Sequence, residues 1–101
     1  MSLKKQLNAK SLLCKVTFTV TKEIASCAKR VNLAGDFNDW DIESIPMKQL
    51  KDGKFSISVD LKKGHEYQFK YLIDGHDWLN ETEADKYIVN KFQNENSVVI
   101  V

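Results

Sequence analysis

Four stretches of this chain alternate apolar and polar residues with a period of two, and that pattern restricts the fold more than any other feature. Val16, Phe18 and Val20 alternate with Lys15, Thr17 and Thr19, and Val31 and Leu33 with Arg30 and Asn32. Phe55, Ile57, Val59 and Leu61 share one face, with Ser56, Ser58 and Asp60 on the other. Tyr67, Phe69, Tyr71 and Ile73 repeat the arrangement against Gln68, Lys70 and Asp74. Side chains of an extended strand point alternately to its two faces, so each stretch reads as a half-buried strand. The chain closes on a continuous β-branched run, Val98-Val99-Ile100-Val101.

Turn chemistry falls between these strands. Asp52-Gly53 is a dipeptide that tight hairpin turns prefer, and Lys63-Gly64 and Asp74-Gly75 mark two further reversals. No long stretch carries a helical repeat of apolar residues. The expectation is an all-β protein, an antiparallel sandwich of about seven short strands. Residues 1–12 are expected to form a lead-in or a short N-terminal helix, and residues 13–101 the domain itself. At 101 residues there is room for one domain with a real core, so no metal or disulfide is needed to hold it. Cys14 and Cys27 are expected as free thiols.

Charge and motifs remove several functions. Fifteen Lys and Arg against fourteen Asp and Glu give a net charge of +1, without the electrostatic footprint of a nucleic-acid-binding domain. No apolar run is long enough to span a membrane, and none follows the basic start Lys4-Lys5 as in a signal peptide. The chain therefore reads as cytoplasmic. There is no phosphate-binding loop and no activated nucleophile, and His65 and His76 share no metal-ligand spacing with either cysteine. No cofactor is expected. Two acidic clusters, Asp36, Asp39 and Asp41, and Glu81, Glu83 and Asp85, are read as solvated turn formers. Catalysis would require Asp39, Asp41 or Glu83 to face one another across a substrate, which nothing in their spacing demands.

Trp40 and Trp78 stand out because each lies in a polar loop, Gly35-Asp36-Phe37-Asn38-Asp39-Trp40-Asp41 and Asp74-Gly75-His76-Asp77-Trp78-Leu79-Asn80. A tryptophan so placed is either folded back onto the core or held out as a contact surface. A flat indole with amide and ammonium groups around it suits a sugar ring, whose C–H face stacks while its hydroxyls bond to the rim. The same surface would stack a nucleobase. The near-neutral charge favours an uncharged ligand.

Val31-Asn32-Leu33-Ala34-Gly35-Asp36-Phe37-Asn38-Asp39-Trp40 resembles the hallmark of the family 48 carbohydrate-binding modules. That family includes the glycogen-binding domain of the AMP-activated protein kinase β subunit and the N-terminal domains of isoamylases and branching enzymes. Tyr67-Gln68-Phe69-Lys70-Tyr71-Leu72-Ile73-Asp74-Gly75, followed by Trp78, resembles its second motif, and Asn94-Glu95-Asn96-Ser97-Val98-Val99 its closing loop and last strand. The resemblance runs from about Leu13 to Val101 and implies an immunoglobulin-like sandwich that binds α-1,4-glucan (glycogen, starch or maltodextrin) without catalysis.

Residue by residue, the resemblance places Trp40 and Trp78 on the two stacking tryptophans and Lys70 on a lysine that bonds sugar hydroxyls. Asn96 falls on the asparagine that closes the site. Phe92 stands where the kinase-type module has a protruding leucine; the alternative is a loop residue folded onto the sandwich edge. Two residues, His76 and Asp77, separate Asp74-Gly75 from Trp78 where the kinase module has one, and Asn94 replaces a threonine. The expected partners are an α-glucan and a glycogen-metabolising enzyme acting in trans, for a bacterial stand-alone module that is a monomer or weak dimer. The competing reading is a protein-interaction or spacer module of the same fold with no sugar site in use. Retention of Trp40, Lys70, Trp78 and Asn96 together favours binding.

Overall fold

The computed structural model describes residues 2–7, 10–25 and 28–101. Its described strands are β1 (Ser2–Leu7), β2 (Leu13–Val20), β3 (Val31–Gly35), β4 (Lys48–Gln49), β5 (Phe55–Lys62), β6 (Glu66–Ile73), β7 (Asp77–Leu79), β8 (Lys86–Val89) and β9 (Glu95–Ile100). One turn of helix, α1 (Lys22–Ala25), follows β2, and a 3-10 turn (Asp36–Asn38) follows β3. The strands form two antiparallel sheets in the orders β1-β2-β5-β4 and β3-β6-β9-β8, with β7 also paired to β6. This is the β-sandwich that the alternation predicts.

The alternating residues supply the core. Val16, Phe18 and Val20 of β2 and Phe55 and Leu61 of β5 face Val31 and Leu33 of β3 and Phe69 and Tyr71 of β6. Phe18 meets Phe69 edge-on with ring centroids 5.0 Å apart, and Phe69 meets Tyr71 at 5.8 Å. Burial of an aromatic such as Phe18 contributes about 3 kcal/mol, so this layer dominates stability. On the far face of the first sheet, Thr17 and Ser58 sit opposite each other with their hydroxyls 2.8 Å apart.

Two expectations need correction. Residues 2–7 are neither a lead-in nor a helix: they form β1, in register with β2 from Ser2↔Thr19 to Leu7↔Cys14. Leu3 packs against the core and Lys5 ion-pairs with Asp85 at 2.7 Å, which ties this edge to the second sheet. The consecutive lysines conceal the strand, because an edge strand does not bury enough to show clean alternation. Second, Glu81 is not a solvated loop residue but is wholly buried. The described strands number nine, and two of them, β4 and β7, are too short to display a period.

The Glu81 carboxylate accepts a 2.7 Å hydrogen bond from the Tyr71 hydroxyl and a 2.9 Å bond from the Glu83 N–H. Burial, then the Glu81 charge and the hydrogen bond to it, push the Tyr71 phenol well above its usual range. The Glu81 N–H donates to Ser97 Oγ, whose hydroxyl donates to Asn80 Oδ1. This network fastens the chain after β7 to both β6 and β9. Cys14 is a buried free thiol; Cys27 lies outside the described residues. No described helix is long and apolar enough to cross a membrane.

Candidate functional site

The outer face of the second sheet carries a cleft of about 580 Å³, within the usual range for ligand sites. Trp40, Lys70, Trp78, Asn90, Lys91, Phe92, Asn94 and Asn96 line it. All five residues singled out from the sequence therefore meet in one place, although four separate segments supply them. No carboxylate is among these lining residues, so Asp39, Asp41 and Glu83 do not face one another across it. Among the described residues no group of three His, Cys, Asp or Glu side chains could hold a metal ion.

Trp40 is held by an unusual loop. Gly35 ends β3 against β6, where a Cβ would lie 2.5 Å from the Gln68 carbonyl oxygen and 2.8 Å from Phe69 Cβ. Only glycine allows that approach. Phe37 then turns inward, its ring 5.9 Å from Phe18 and 6.1 Å from Tyr67. Asn38 works as a hub: its Oδ1 accepts from the Gly35 N–H, and its Nδ2 lies within bonding distance of Leu33 O, Asp41 O and Ser44 Oγ. The chain can then pass through two left-handed residues, Asp39 (φ 55°) and Trp40 (φ 58°). Such backbone costs of order 1 kcal/mol or more per residue and persists only where its surroundings impose it. Asp36 completes the arrangement, with one carboxylate oxygen accepting the Trp40 indole N–H at 3.0 Å and the other the Gln68 N–H at 2.8 Å.

Trp78 comes from β7, the return arm of a hairpin whose turn uses Asp74 (φ 51°) and Gly75 (φ 80°). Asp74 Oδ1 accepts the N–H groups of Arg30 and Lys29, and these bonds hold its carboxyl below the usual carboxylate range. In register, Trp78 stands opposite Leu72, which is buried although it lies on the outer face. Trp78 is 43% exposed and Trp40 is half-buried. Neither indole is folded into the core cluster. Their ring centroids lie 6.4 Å apart with planes inclined by 62°.

Lys70 projects outward between the inward Phe69 and Tyr71, as the alternation requires, and lines the cleft. Asn96, from the neighbouring strand β9, also lines the cleft but is buried, with Oδ1 accepting from Asn90 Nδ2 and Nδ2 donating to Gln68 Oε1. Phe92 is 72% exposed and borders the cleft instead of folding onto the sandwich edge. Asn90 and Lys91 were not anticipated. A signal for Asn90 lay in its position directly after a strand, where an Asx turn begins: its Oδ1 accepts from the Phe92 and Asn94 N–H groups. Lys91 Nζ lies 5.2 Å from the Phe92 ring centroid and carries no sequence signal of its own.

A family model for carbohydrate-binding module 48, the isoamylase N-terminal domain, matches residues 7–92. A stretch of 43 residues is 49% identical to the 1,4-alpha-glucan branching enzyme GlgB of Lactobacillus acidophilus. That match takes in 42% of this chain and 7% of the enzyme, which is therefore far longer.

Proposed function

The chain belongs to the carbohydrate-binding module 48 family, and on that premise we propose that its cleft binds α-1,4-glucan (glycogen, starch or maltodextrin) without catalysing a reaction on it. The observation that carries this reading is the convergence of Trp40, Trp78, Lys70, Asn96 and Phe92 on one outward-facing cleft. The two indoles stack on the apolar faces of sugar rings, and the Lys70 ammonium and the Asn96 amide donate to hydroxyl oxygens.

The inclination of the two indole planes supports an α-linked chain. An α-1,4-glucan curves, so its successive rings tilt against one another, whereas a β-1,4-linked chain is a flat ribbon that suits coplanar platforms. Phe92 gives the chain a third apolar contact. Two stacked rings and a few hydrogen bonds exposed to competing water leave a small surplus over the cost of association, and a Kd on the order of micromolar to millimolar follows. The physiological setting proposed is the cytoplasm, beside a glucan-modifying enzyme of the branching-enzyme kind.

Titration of tryptophan fluorescence with maltoheptaose or β-cyclodextrin tests the proposal, with Trp40→Ala, Trp78→Ala and a cellohexaose control. A saturable change for the α-glucans, weakened in both variants and absent with cellohexaose, is expected. An unresponsive but folded wild-type protein contradicts the reading.

A further inference from the structure

Under the cleft, three side-chain amides bond in sequence, and the direction of every bond can be assigned. Asn90 Oδ1 is committed to two backbone donors, the N–H groups of Phe92 at 2.9 Å and Asn94 at 3.2 Å. Asn90 therefore turns its NH₂ toward Asn96, and the 3.0 Å bond between them must end on Asn96 Oδ1. With its oxygen so placed, Asn96 directs Nδ2 at Gln68, whose Oε1 accepts at 3.1 Å. Asn96 is 8% exposed and has little room to turn over. The main chain of Gln68 meanwhile donates at 2.8 Å to Asp36, which holds the Trp40 indole N–H at 3.0 Å.

We infer that Gln68 is a positioning residue of the cleft: its side-chain oxygen fixes the Asn96 amide so that one N–H remains to face the ligand, while its backbone N–H anchors Asp36 and hence Trp40. The inference rests on the proposed sugar-binding reading. It deepens that reading, because Asn96 then presents a fixed N–H, beside the Lys70 ammonium, to a ligand's hydroxyl oxygens. Gln68 touches no ligand in this scheme and acts through its two neighbours.

The test compares Gln68→Met, which keeps length and loses the acceptor, with Gln68→Glu, which keeps an acceptor for Asn96. Each is measured by thermal melting, by maltoheptaose titration and by ¹⁵N-edited spectra of the Asn side-chain amides. Gln68→Met is expected to stay folded but melt below the wild type, because the buried Asn96 amide loses its acceptor, and to bind about five-fold more weakly, the equivalent of one net hydrogen bond. Gln68→Glu is expected to bind within about two-fold of the wild type, since the acceptor that holds Asn96 is retained. One Asn96 amide proton should move upfield in Gln68→Met and not in Gln68→Glu. Wild-type binding by Gln68→Met, or equal losses in both variants, overturns the inference. If the wild type binds no maltoheptaose, the sugar-binding reading fails, and the Asn96 resonances alone decide the role of Gln68: an unmoved amide in Gln68→Met overturns it.

Discussion

On the Trp40 side of the cleft, the chain between Gly35 and Asp41 is fixed at both ends and in the middle. Gly35 touches the β6 backbone, Phe37 reaches the core, and Asn38 and Asp36 hold the remaining polar groups. On the Phe92 side, residues 90–94 hang from Asn90, with Gln93 at φ 66° and Phe92 72% exposed. Both loops carry an aromatic residue to the same cleft. The first is built into the sandwich, so damage to it should be read in stability; the second is attached to the sandwich, so damage to it should be read in binding. A stacking platform gains most from rigidity, because no order has to be imposed when the ligand arrives.

The contrast can be broken most readily at Gly35. Gly35→Ala pushes a methyl group into the Gln68 carbonyl and Phe69 Cβ, and a loss of about 3 kcal/mol in urea denaturation is expected, the upper end for overpacking. A loss within error would mean that β3 and β6 separate freely and that the wall is not rigid. Asn38→Ala comes next: it leaves the Gly35 N–H and nearby carbonyls without their partner, at about 2 kcal/mol. Asn90→Ala, by the same denaturation measurement, should cost under about 1 kcal/mol, since the loop it organises is mostly exposed. Equal costs for Asn38→Ala and Asn90→Ala would erase the distinction between the two walls. Phe92→Ala should leave stability within about 0.5 kcal/mol of the wild type and weaken maltoheptaose binding by calorimetric titration.

The smallest effect expected lies at the Trp78 hairpin. The Arg30 and Lys29 N–H bonds lower the folded-state pKa of Asp74 below its ordinary 3.8. Its charge therefore adds stability that is fully present above the unfolded pKa and is lost as pH falls through the lowered folded value. Asp74→Asn keeps the acceptor and tolerates the left-handed backbone, so it removes the charge alone. The difference in melting temperature between wild type and Asp74→Asn should shrink as pH falls below 3.8. A difference that persists into acid would show that the carboxylate charge is not what fixes this turn.

The sequence revealed the fold where burial on one face is strong and the strand is long. β2, β5 and β6 announced themselves through Phe18, Leu61 and Phe69, each on an inward position of an alternating run. β1 was hidden because Lys4 and Lys5 interrupt the pattern at a sheet edge. β7 was hidden because three residues cannot show a period. Glu81 could not have been identified from its own neighbourhood, since its burial depends on Tyr71 and Ser97, partners brought by β6 and β9. The candidate site divides in the same way. The binding roles of Lys70, Asn96 and Phe92 were expected only from the family resemblance; Trp40 and Trp78 were legible on their own, as aromatics in polar loops. Asn90 and Gln68 were not, because their part is to orient other side chains and only the assembled sheet displays it.

The most direct test uses the indole N–H resonances of the two tryptophans in a ¹⁵N-labelled sample titrated with maltoheptaose. Trp40 and Trp78 border one cleft, so both signals should move and saturate along a single binding curve. If neither signal moves with several millimolar sugar (on the order of the weakest affinity expected), or if only one does, the account of a single glucan site spanning both rings is contradicted.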